Sequence, residues 1–93
     1  MILDGKLIND RGHDYLIEEL DLPVYYGKNL DALFDCLCEM SDEIELINAD
    51  EIDKDMIDTF KDAALENDYL SLKIEFNRWK YFYILSYEFL NSI

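Results

Sequence analysis

Alternation of apolar and polar positions is clearest between Tyr69 and Phe76, where Leu70, Leu72, Ile74 and Phe76 share one face and Tyr69, Ser71, Lys73 and Glu75 the other. That period of two predicts a half-buried strand. Upstream the period lengthens: Met56, Ile57, Phe60 and Ala64 recur at helical spacing after Asp53, with Ile52 and Ile57 placed to staple the start of the helix and Asn67 placed to end it. Ile44 to Ile47, flanked by acidic residues, reads as another short strand.

The pattern is densest from Leu22 to Cys38, LPVYYGKNLDALFDCLC. At roughly 100° per residue, Leu30, Leu33, Leu37 and Met40 fall on one side of a helix running to about Glu39 or Met40, capped by Asn29 and with Asp31 in its first turn. Asp31 and Asp35 form a separate stripe whose like charges cost the helix a few tenths of a kcal/mol. Phe34 lies on the border between the stripes, so a partner meets two carboxylates beside an aromatic edge.

Pro23 must terminate any preceding helix. That helix has Tyr15, Leu16 and Leu20 on its apolar face, Asp14, Glu18 and Glu19 in water, and Asn9 or Asp10 as cap, with Gly12 weakening its first turn. Between the helices, Tyr25 and Tyr26 read as an exposed pair and Gly27 as the site of a tight change of direction. At the N-terminus, Met1 to Leu3, Asp4-Gly5 and Lys6 to Ile8 read as a short strand broken by a turn dipeptide.

Strands separated by helices predict an α/β fold: two layers, with a small three-stranded parallel sheet, helical crossovers and cover on one side. Beyond Phe76 the chain is rich in aromatics: Trp79, Tyr81, Phe82, Tyr83, Tyr87 and Phe89. The preferred reading is a turn at Asn77-Arg78 and an added antiparallel strand through Tyr81 to Leu85, with a terminal helix as the alternative. Sheet or core cover is a simpler use of these aromatics than a binding platform. At 93 residues the expectation is one domain, 1–93, of which 78–93 is an aromatic extension.

Composition narrows the partner. A hydrophobic fraction of 51% argues for a folded globule, while 22 acidic against 8 basic residues, a net charge of −14, disfavours direct contact with nucleic acid and favours a basic partner. Solubility alone can also account for acidity. Cys36 and Cys38, two helical positions apart, point about 160° away from each other and are expected to be reduced. With no signal peptide in view and no apolar run near the roughly 18 residues of a membrane span, a cytoplasmic location without membrane contact is the expectation.

Other chemistry finds little support. Asp50, Glu51, Asp53 and Asp55 lack the glycine and terminal glutamate of a calcium loop and read as an acidic helix start. His13 and Cys36 could be imagined as base and nucleophile, but no oxyanion segment accompanies them. The two cysteines lack zinc-site spacing. Neither an enzyme nor a bound cofactor or metal is expected.

The segment Leu22-Pro23, Tyr25-Tyr26-Gly27, Asn29-Leu30-Asp31-Ala32-Leu33, Phe34, Asp35-Cys36-Leu37 closely resembles the defining motif of the barstar family, intracellular inhibitors of barnase-type bacterial ribonucleases. Element order extends the resemblance over residues 1 to about 76. The resemblance implies that the motif helix and the loop before it enter the ribonuclease active site. Asp35 would then stand in the phosphate position among arginines and a catalytic histidine, and Tyr25 would pack on that histidine. Asn29 and Asp31 would contact the cleft rim, Phe34 would support the helix, and Asp62 and Glu66, on one face of the later helix, would add ion pairs. Tyr26, Gly27 and Cys38 complete the expected partner-binding set. The implied logic is substrate mimicry by a fixed carboxylate, aided by an acidic field that accelerates encounter, barnase and barstar being themselves a standard example of such steering.

Three departures bear on the partner. Phe34 replaces the family's tryptophan, Cys38, Glu39 and Met40 replace its threonine, glycine and tryptophan, and the aromatic tail is added and could protect an edge or mediate homodimerisation. The expected partner is a basic extracellular-type ribonuclease or related nuclease toxin. The alternative is an acidic protein-interaction module of the same fold serving a different toxin or a regulatory partner.

Overall fold

Strand β1 (Ile2–Asp4) opens a sheet that, in this computed structural model, is described for residues 1–76 in full and for 81–85 as backbone. The chain continues through α1 (Gly5–Arg11), α2 (His13–Leu20), α3 (Leu30–Cys38), β2 (Glu43–Ile47), a 3-10 turn (Ala49–Glu51), α4 (Lys54–Glu66), β3 (Ser71–Phe76) and β4 (Tyr81–Leu85). Strand order is β1-β2-β3-β4, with the first three parallel and β4 antiparallel to β3. The expected turn at Asn77-Arg78, and the residues after Leu85 with the helix weighed for them, lie outside the described residues.

Register explains the one-sided cover. Leu3 pairs with Leu46 and Leu46 with Ile74, while Ile44 pairs with Leu72, so the buried positions of all three strands form rows on one face. The alternate positions face outward, where Glu45 opposes Lys73 and the two side chains approach to 3.5 Å. The helices cover the apolar face, and Phe60 of α4 is among its fully buried side chains.

The N-terminal turn reading is corrected. Lys6 to Ile8 are helical, because Asp4 ends the strand as an N-cap, its Oδ1 accepting from Lys6 N at 2.9 Å and from Asn48 Nδ2 at 2.8 Å. Gly5 is the first helical residue, and a Cβ there would overlap the Asn48 carbonyl oxygen. Its function is close approach of two backbones. The single helix expected before Pro23 is two, divided at Gly12, whose φ of 60° ends α1 and begins α2. Neither Asn9 nor Asp10 caps it, since both lie inside α1.

Candidate recognition face

The loop before α3 is built by three local constraints. Asp21 takes a left-handed conformation (φ 52°) that ends α2, Leu22 N returns to Ile17 O, and Pro23 begins a turn closed by Tyr26 N donating to Pro23 O at 2.9 Å. Val24 and Tyr25 occupy the tip of that turn. Val24 is fully exposed and Tyr25 is 85% exposed. Tyr26 points the other way and is 8% exposed, so the expected exposed pair is corrected to one outward and one inward tyrosine. The positive φ that turns the chain into α3 belongs to Lys28 (φ 53°) rather than to Gly27. Gly27 instead receives Asn29 Nδ2 on its carbonyl at 3.3 Å.

Tyr26 anchors the loop. Its hydroxyl lies 2.6 Å from His13 Nδ1 at the start of α2, and burial pushes its pKa up to about 12. The phenol therefore stays protonated and can donate to a bare Nδ1. Burial also pushes His13 below its usual range, the cation of Lys28 adding to this and Asp14 opposing it. A second tie, Lys28 Nζ to Asp14 Oδ1 at 3.0 Å, is exposed and contributes at most about 1 kcal/mol.

Helix α3 is held at both ends. Asn29 Oδ1 accepts from Ala32 N at 2.8 Å, and at the other end the buried Asn67 donates from Nδ2 to Leu37 O at 3.0 Å and Met40 O at 2.7 Å. Asn67 thus does more than end α4: it adds a donor to the Leu37 carbonyl, which also accepts from Met40 N, and supplies one to the Met40 carbonyl just beyond α3. Leu33 and Leu37 are fully buried, each stabilising by about 1.5–3 kcal/mol, which outweighs the few tenths lost to repulsion between Asp31 and Asp35. Both carboxylates stay exposed, and Phe34 packs its inner edge on the core.

The electrostatics around Cys38 link α3 to α4. Its thiol is pushed up first by burial, then by the charges of Glu66, Asp35 and Glu39. Glu66 of α4 and Asp35 of α3 thus both act on the Cys38 thiol. Asp62 is exposed one turn earlier on α4. Cys36 is likewise pushed up by burial and by Glu39 and Asp35, the direction that favours its neutral thiol. Both cysteines are free.

Of the expected set, Tyr25, Gly27, Asn29, Asp31, Asp35, Asp62 and Glu66 are exposed, Phe34 and Cys38 are half-buried, and Tyr26 is buried as a support. Val24, Asp21 and Glu39 were not singled out by sequence pattern. Glu39 follows Asp31 and Asp35 at four-residue spacing, a visible signal; Val24 gives only its place after Pro23. The Asp50–Asp55 run folds as a 3-10 turn and an N-cap, Asp53 Oδ2 accepting from Asp55 N at 3.1 Å. Among the described residues no helix is long and apolar enough to cross a membrane.

Comparison with known proteins agrees with this architecture. The family model for barstar, the barnase inhibitor, matches residues 2–76. The "Putative ribonuclease inhibitor YrdF" of Bacillus subtilis (strain 168) is 51% identical over 39 residues, a stretch covering 40% of this chain and 43% of that protein. Strand β4 lies beyond the matched residues.

Proposed function

The chain belongs to the barstar family, and we propose that it is a non-catalytic ribonuclease inhibitor that fills the active site of a basic microbial nuclease. The observation that carries this reading is the setting of Asp35: an exposed carboxylate on a helix capped at both ends and preceded by an outward Tyr25. A phosphate site holds arginine donors that a carboxylate can engage through two oxygens, and burial on docking strengthens those bonds. Because α3 is already ordered, little conformational freedom is lost when it binds. Tyr25 then offers an aromatic face to the catalytic histidine, Asn29 and Asp31 meet the rim, and Asp62 and Glu66 pair with peripheral cations. The buried Tyr26 acts from behind the face, and the exposed Gly27 offers its backbone within the loop.

The test is inhibition of barnase and of other guanyl-preferring microbial ribonucleases by the wild type and by Asp35→Ala. Removing one partner of a desolvated charge pair is expected to weaken inhibition about 30-fold or more. Equal inhibition by both proteins would remove Asp35 as the phosphate mimic. Inhibition by neither would reject the nuclease target and favour an acidic interaction module on the same fold, a reading to which Phe34 and the Cys38–Met40 substitutions lend substance.

A further inference from the structure

Beside the recognition face runs a groove of about 330 Å³, between the Pro23–Tyr26 turn and the last turns of α3. Leu22 and Pro23 form one apolar wall, Cys36 and Met40 the other, and Tyr25 contributes its ring. The charged residues of its described lining are Asp21 and Glu39. Asp21 is the C-cap of α2 and Glu39 the C-cap of α3, so two helix C-termini converge on one cavity.

A helix C-terminus carries about half a negative charge and is stabilised by Lys or Arg in its last turn. Neither α2 nor α3 has a basic residue there, and each has a carboxylate at its cap instead. Asp21 adds to this a left-handed backbone, where glycine or asparagine is the ordinary choice. Among the described residues neither carboxylate has an ion-pair partner. The arrangement opposes the stability of both helices while concentrating negative potential over an apolar slot.

We propose that this groove receives an arginine side chain of the nuclease partner, as a second specificity site beside Asp35; the inference rests on the reading of the chain as a nuclease inhibitor. The apolar walls suit the methylene stem, the Tyr25 ring suits a stacked guanidinium, and the two carboxylates accept its forked donors. A purely apolar side chain would desolvate Asp21 and Glu39 without compensation. Lysine, a compact and strongly hydrated charge, would use the ring and the two acceptors less well.

The experiment titrates N-acetyl-arginine methylamide, and its uncharged isostere N-acetyl-citrulline methylamide, into the isotope-labelled full chain and follows amide resonances. The arginine probe is expected to shift the amides of Leu22, Tyr25 and Glu39 saturably, with shifts at least about fivefold larger than those from the citrulline probe. The double variant Asp21→Asn, Glu39→Gln should abolish that difference, and Asp35→Ala should leave it intact. Equal shifts from the two probes, no saturable shift at millimolar arginine probe, or shifts surviving the double variant would overturn the proposal. Asp35→Ala inhibiting barnase as well as the wild type, with arginine still bound in the groove, would reject phosphate mimicry and leave the groove standing.

Discussion

At Tyr26 the phenol and the imidazole of His13 tie the recognition loop to the first turn of α2. Because burial lowers the pKa of His13, the folded protein binds its proton less readily than the unfolded chain does. The stability this neutral imidazole contributes is therefore complete above about pH 6.5 and is lost as pH falls from there through the lowered folded value. His13→Gln keeps a hydrogen-bonding side chain without the titration. Urea unfolding of both proteins at about pH 7.5 and about pH 5 should show the wild type losing more stability than the variant; parallel losses would mean that His13 does not titrate differently on folding. Tyr25, one residue away, has the opposite exposure, so Tyr25→Ala should leave stability within about 0.5 kcal/mol while weakening inhibition.

Helix α3 is the element on which the face depends, and its two ends are treated differently. The N-terminus carries a favourable cap, and Asn29→Ala should cost about 1 kcal/mol in thermal or urea unfolding. At the C-terminus the support comes from another element. Asn67→Ala removes the side-chain donor to the Met40 carbonyl and one of the donors to the Leu37 carbonyl, which keeps Met40 N, and should cost about 1–3 kcal/mol, with inhibition falling as α3 loses its fixed end. Glu39→Gln, by contrast, removes a charge that opposes the helix dipole, and should raise stability by about 0.3–1 kcal/mol while weakening a basic partner's binding. A variant both less stable and less active would show that Glu39 supports the fold rather than the partner.

Over the whole molecule, a net charge of −14 acts on any basic partner before contact. Steered association should slow about tenfold or more when salt rises from about 0.05 M to about 0.5 M, with the dissociation rate changing far less. Stopped-flow mixing with barnase at several salt concentrations measures this, and a flat association rate would take steering out of the account. The covered face of the sheet is apolar, while Asp31 and Asp35 of α3 and Asp62 and Glu66 of α4 are exposed.

Helix and strand positions were legible in the sequence because they follow from nearest neighbours along one element. The period of Leu33 and Leu37, the cap at Asn29 and the alternation through Leu72 and Ile74 are local facts, and the Leu22–Cys38 motif carried the family with them. The misread turn at Asp4-Gly5 marks the boundary, since that glycine is required by the approach of Asn48, over forty residues away. What only the tertiary structure decided was which of two adjacent tyrosines faces outward, that Asn67 donates to the end of α3, and that Asp21 and Glu39 line one groove. Each of these depends on one element approaching another, and no periodicity within a single segment encodes a distance to a second one.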